Sequence, residues 1–258
     1  ARRPGTWGLV LDAADLTPRA RFEPPADRRF AGHAALSADG ARLFTTEIEP
    51  TSGDGRLGVW RAEGAGFVRV GEHGADGLGP HDVLRLRDGR LVVAVGGLRT
   101  DPATDRDVAD PATMCSRLVV IDPGSGAIVA AMELEPALRL ASIRHLAAAD
   151  DGEVVFACQW QGERDGGVPL IGSWRPDAPG IPPRLWQMPE PALARLADYV
   201  GSVVLDASQR FVAATSPRGN VAALFEGARG GFLGLVALAA LGGAAPSGAP
   251  GGFVLASG

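Results

Sequence analysis

Five stretches of this chain repeat one pattern: a short apolar run, a polar turn, then a second apolar run. Three carry Asp-Gly at the turn: GHAALSADGARLFTTE from Gly32, PHDVLRLRDGRLVVAVGG from Pro80 and RHLAAADDGEVVFACQ from Arg144. A fourth, VGSVVLDASQRFVAATSP from Val200, has Ala207-Ser208-Gln209 there, and a fifth begins near Leu241. Asp-Gly between apolar runs is a hairpin signature, because both residues tolerate the positive φ of a type I′ turn. The turns recur about every 48 to 64 residues. That exceeds the roughly 40–50 residues of a four-stranded propeller blade, and loop insertions account for the excess.

Further hairpins alternate with these, at 56–73, 117–134, 169–188 and from Asn220. The segment WGLVLDAADLTPRARFEP, from Trp7, reads as the outer half of a blade whose inner half is absent. An order of inner hairpin, outer hairpin, inner hairpin is the sequence form of a β-propeller. The predicted fold class is therefore all-β, with four-stranded antiparallel blades in a single domain spanning residues 1–258. Helical signal is thin. Pro191 to Val200 predicts two to three turns with Pro at the first position, and Glu135 to Leu140 predicts one.

Composition excludes several function classes. Net charge is −5 and pI about 5.4, which argues against nucleic acid or an anionic membrane surface as partner. All 25 basic residues are Arg, so a Lys Schiff base, a Lys nucleophile and a P-loop Lys are excluded. The longest apolar stretch, Gly231 to Gly243, is 13 residues and falls short of the roughly 20 needed to span a membrane. The opening ARRPG has no apolar h-region, which fits either a cytoplasmic chain or an exported one already trimmed. Cys115 and Cys158 lack CxxC spacing; a disulfide and two free core thiols both fit. The Asp-rich loop from Leu98 to Cys115 does not match a Ca²⁺ loop of the EF-hand type, which needs Gly sixth and Glu twelfth.

The candidate site follows from the repeat. His33 lies seven residues before Gly40 and His145 seven before Gly152, while His81 lies eight before Gly89. Equivalent positions of inner blade strands meet at one mouth of a propeller channel, so the three imidazoles are candidate ligands for Zn, Cu, Ni or Fe. The extra residue at His81 is a warning, since a one-residue slip moves a side chain to the opposite face. Arg144 precedes His145, and Arg99 ends an inner strand; guanidinium groups there suit bidentate carboxylate or phosphate recognition, or a salt bridge to a neighbouring blade. Glu47, Arg99, Gln159 and Arg218 occupy comparable strand ends and would form a polar ring at the mouth, with Gln161 close by. Polar residues are also expected at any loop face. Cys158 lies in an apolar run and reads as a buried thiol rather than a nucleophile paired with His145. Trp60, Trp160, Trp174 and Trp186 fall at strand ends and read as packing between blades.

A family resemblance rests on GPHD (79–82), GGLRTDPATDR (96–106), SIRHLA (142–147), CQWQG (158–162), YVGSV (199–203) and ATSPRGN (214–220). At these motifs the chain, from about Gly32 to Gly258, resembles the bacterial family known as domain of unknown function 1513. The resemblance implies a WD-like or YVTN-like propeller, of about seven blades in the full family. It also implies export to the bacterial cell envelope, often by a twin-arginine signal, with genes beside imelysin-like and di-haem oxidase-like proteins. That neighbourhood is associated with iron or other metal handling. It further implies another blade before the GH motif and a closing segment that carries a His, so the ring expected for this chain is incomplete.

The expected function is a non-enzymatic binding or scaffold propeller of the periplasm or cell envelope. Its site is a mouth lined by His33, His81, His145, Arg144, Arg99, Glu47, Gln159 and Arg218. The sequence assigns no cofactor outright; a transition metal (Fe, Cu or Zn) is the candidate, held by the three His. The expected partner is a small ligand or an envelope protein, bound by a monomer that does not span the membrane. Two alternatives stand: a metal-dependent hydrolase or lactonase-like propeller using Glu47 or a His as base, and a purely structural protein-interaction propeller.

Overall fold

A computed structural model of the chain describes residues 4–99, 111–227 and 230–257. The chain divides into two compact units, residues 1–129 and 130–258. Most of the Asp-rich loop, residues 100–110, lies outside the described residues, and so does any reading of it as a cation loop.

The first unit opens with a two-stranded antiparallel sheet, β1 (Gly8–Leu11) and β2 (Pro18–Phe22). Two four-stranded sheets follow. One runs β3 (Arg29–Leu36), β4 (Arg42–Ile48), β5 (Asp54–Glu63) and β6 (Gly66–Leu78), in sequence order. The other runs β7 (Pro80–Arg85), β8 (Leu91–Val95), β9 (Arg117–Ile121) and β10 (Ile128–Glu133), and the unit boundary falls inside its last strand. All five residues of β8 are buried, as a continuous apolar LVVAV run demands when both sheet faces are covered. By contrast β6 is largely exposed along its 13 residues. The core explains the gradient: Phe44, Leu57 and Val59 of the first sheet pack against Val83, Leu91, Val93, Val95, Val119 and Ile121 of the second. Two sheets stacked face to face in this way bury their middle strands and leave the outer ones wet. Phe22 of β2 adds edge-on contacts to Phe30, Trp60 and Phe67, which ties the opening hairpin onto the first sheet.

The second unit repeats the plan. One sheet has β11 (Ala141–Ala148), β12 (Val154–Trp160), β13 (Ile171–Trp174) and the two-residue β14 (Arg184–Leu185). The next has β15 (Ser202–Leu205), β16 (Phe211–Ser216), β17 (Val221–Glu226) and β18 (Gly231–Ala237). A final pair, β19 (Leu241–Pro246) and β20 (Phe253–Ser257), closes the described chain. The inner strands β11, β15 and β19 lie side by side in turn, as do β3 and β7 in the first unit. Four-stranded antiparallel meanders in sequence order, inner strand first, are the all-β blades expected of a propeller. Every hairpin read from the sequence is present.

Two local expectations change. The Asp-Gly hairpins do not use type I′ turns. Gly40, Gly89 and Gly152 take positive φ (69°, 93° and 88°), whereas the Asp before each does not. Each glycine amide instead donates back to Ser37, Leu86 or Ala149, a type I turn with glycine in the left-handed position after it. The Asp carboxylates accept the amides of Ala41, Arg90 and Glu153, all at 3.0 Å. Gln209 takes the glycine's place in the fourth hairpin, at φ 57°. The predicted longer helix is a single α-turn, α1 (Glu190–Ala194), with Pro191 in its first turn, and the shorter is a 3₁₀ turn at Pro136–Leu138. No helix among the described residues is long and apolar enough to cross a membrane.

Candidate functional site

The inner strands are irregular where the histidines sit. On β3 the pairing with β4 skips between Phe30 and Ala34; on β7 the pairing with β8 skips between Pro80 and Val83; on β11 the pairing with β12 skips between Ile143 and His145. A bulge re-aims side chains that a regular strand would alternate. The bulges are not identical: β3 advances from Phe30 to Ala34 while β4 moves from Glu47 to Thr45, and β7 advances from Pro80 to Val83 while β8 moves from Val95 to Val93. In the first unit His33 and His81 consequently meet, with ring centroids 4.7 Å apart and an interplanar angle of 44°. Their ring nitrogens lie within 4.8 Å of each other.

Asp82 orients this pair. His33 Nδ1 lies 3.1 Å from Asp82 Oδ1, which also accepts the Val83 amide at 2.9 Å. A carboxylate can only accept, so Nδ1 carries the proton in this bond and the lone pair of neutral His33 is on Nε2. Thr46, fully buried on β4, holds the two strands together: its hydroxyl accepts the His33 amide at 3.3 Å and sits 3.2 Å and 3.0 Å from the His33 and His81 carbonyls. Asp82 and Thr46 are absent from the residues chosen by sequence. Asp82 follows His81 directly, and neighbours on a regular strand face opposite ways; only the bulge reveals that it serves His33.

The other candidates are placed as follows. His145 lies half-buried on β11 of the second unit, beside the buried Arg144. Arg99 is exposed and donates to the Thr51 carbonyl at 2.9 Å. Glu47 departs from the expected polar ring. It is fully buried on β4 with Arg69 Nη1 at 2.8 Å and 2.9 Å from its two oxygens, and Thr45 Oγ1 donating at 2.7 Å. Its position at the strand end is right, but β6 supplies an arginine that covers it. Gln159 is also buried, paired across from Ser142 with its amide 3.5 Å from the Val200 carbonyl.

Arg218 belongs to a separate cleft in the second unit. Its guanidinium lies over the Tyr199 ring at 4.4 Å, and the cleft is also lined by Trp160, Gln161, Arg164, Asp165 and Asp198. Trp60, Trp174 and Trp186 are buried packing residues, as read from sequence, but Trp160 is a half-buried cleft wall. Both cysteines are free: Cys158 is buried, which raises its thiol pKa well above the ordinary value, and Cys115 is half-buried with Arg117 Nη2 3.1 Å from its sulfur.

A comparison with proteins of curated function found no match. Among solved structures, a protein of unknown function from Bacteroides caccae superposes with a TM-score of 0.55 at 8% identity, over 89% of this chain and 68% of that one. Hydrazine synthase of Kuenenia stuttgartiensis superposes with a TM-score of 0.54 at 12% identity, over 91% of this chain and 81% of that one. At such identities the likeness is one of fold. The sequence itself goes further: residues 1–258, including the segment before Gly32, match the family described as protein of unknown function DUF1513, and the chain belongs to that family.

Proposed function

We propose that this chain is a non-enzymatic binding module, a β-propeller whose inner strands carry a histidine-based ligand site. The observation that supports it most is the hydrogen bond from His33 to Asp82 beside His81. Metal-ligating histidines almost always donate their second ring N–H to a carboxylate or carbonyl, which fixes the tautomer and raises ligand basicity. Two imidazoles on one ion, each at about 2.0–2.1 Å, stand at most ~4.2 Å apart. A pair whose nitrogens are no more than 4.8 Å apart comes within that reach by a small side-chain rotation. A transition-metal cation (Fe, Cu or Zn) is therefore the ligand this reading favours, with His145 as the third member of the series by its place in the sequence repeat. The reading keeps the envelope location and the link to metal handling that the family resemblance implies, and the monomeric state expected from the sequence reading.

The hydrolase alternative is weakened by Glu47. A general base must reach a metal-bound water, and both Glu47 oxygens are held by Arg69. The interaction-propeller alternative gives no reason for a carboxylate behind His33.

The test is calorimetry of chelator-free protein with Zn²⁺, Cu²⁺ and Fe²⁺, with metal content measured alongside. We expect saturable binding near one equivalent, loss of binding in H33A and H81A, and affinity about 10–100-fold weaker in D82N. Wild-type affinity in D82N, or no saturable binding by any of the three ions, defeats the reading. The response of H145A reports whether the third imidazole contributes.

A further inference from the structure

The cleft of the second unit lies where β12 ends, between Trp160 and the backbone around Ala197 and Asp198. Its volume is about 550 Å³, within the roughly 300–1,000 Å³ of small-molecule sites. Its walls are built at a cost. Asp165, Ala197 and Asp198 all adopt positive φ (57°, 49° and 57°), a region that non-glycine residues visit rarely. Such outliers persist only where surrounding structure over-determines them, and they cluster at ligand clamps. Here the surrounding structure is visible. The Asp198 carbonyl accepts the Trp160 amide at 2.9 Å, Asp198 Oδ2 accepts the Asp165 amide at 2.8 Å, and Trp160 Nε1 donates to the Glu163 carbonyl at 2.9 Å.

Two arginines line this cleft, Arg164 and Arg218. Among the described residues no carboxylate stands within 4.0 Å of either one. Arg218 is nevertheless held, stacked over Tyr199 at 4.4 Å. A guanidinium stacked by its face keeps its N–H edge for a planar, bidentate acceptor. The two Asp carboxylates in the same lining balance the two Arg, so the cleft is neutral overall. With no net positive charge in the lining, the attraction is local, and the fork of Arg218 matches one planar carboxylate rather than a multiply charged group. Trp160 supplies an apolar wall beside these polar groups.

We infer that this cleft is a binding site for a small carboxylate monoanion with an apolar body, its carboxylate paired by Arg218 and its body against Trp160. The site stands on different residues from the His33–His81 pair. Calorimetric titration with benzoate tests it, with acetate and inorganic phosphate as comparisons. Benzoate is expected to bind saturably and more tightly than either. R218K keeps the charge but removes the fork and is expected to weaken benzoate binding about tenfold or more, the worth of one charge-assisted hydrogen bond. H81A, with its fold checked by circular dichroism, is expected to bind benzoate as wild type does. Absence of saturable benzoate binding, phosphate binding as tight as benzoate, an unaffected R218K, or loss of binding in H81A would each overturn the assignment.

Discussion

Removing Arg69 should destabilise the protein far more than its partly exposed position suggests. A hydrogen-bonded chain runs from Trp60 Nε1 to Thr45 Oγ1 at 2.8 Å, and from Thr45 Oγ1 to Glu47 Oε1 at 2.7 Å. Arg69 closes it from β6 and also lies 5.4 Å from the Trp60 ring centroid. Glu47 has no exposed surface, so R69A leaves a buried carboxylate whose remaining side-chain donor is one hydroxyl. Breaking a buried ion pair on one side costs about 3–5 kcal/mol. At roughly 2–4 °C per kcal/mol for a chain of this size, the melting temperature should fall by roughly 6–20 °C. The double variant E47M/R69M removes both charges and keeps apolar volume, and should recover most of that loss. R61A is the control. Arg61 and Glu63 form an exposed pair at 2.7 Å, and such pairs are worth about 0–1 kcal/mol. Urea and thermal unfolding of the four proteins measure all of this. The reasoning is refuted if R69A behaves like R61A, or if the double variant is no more stable than R69A.

Two further outcomes follow from buried groups. Burial pushes the Cys158 thiol up, so in native protein a thiol-specific reagent should modify Cys115 and spare Cys158, with both reacting only after unfolding; rapid modification of both in the native state would contradict this. Asp206 is a carboxylate that burial alone would raise, yet bonds from the Ser208 hydroxyl and from the Gly251, Phe211 and Ser208 amides hold it far below its ordinary 3.8. A depressed folded pKa stabilises above the unfolded value and is lost as pH falls through the folded one. The urea midpoint of wild type should therefore drop below about pH 4 by more than that of D206N, and equal drops would remove Asp206 from the acid response.

Strand order and hairpin position were legible in the sequence because both are local. An apolar run such as Leu91–Val95 can be buried on both faces only as a middle strand. A glycine after an Asp marks a reversal whichever turn type forms, so the hairpin positions are legible although Asp39, Asp88 and Asp151 do not take the positive φ of a type I′ turn. The family, too, was carried by ordered motifs and needed no coordinates. Side-chain partnership was another matter. Glu47 occupied the expected strand end, but the sequence holds no sign that Arg69, 22 residues later, would reach across to cover it. The meeting of His33 with His81 and the service of Asp82 to His33 depend on bulges that shift register by one or two residues. The cleft beside Trp160 depends on three residues in left-handed backbone, a conformation none of them favours alone. Local preference determined which residues became inner strands; only the tertiary structure decided which of their side chains meet, because facing depends on register and register is set by neighbouring strands.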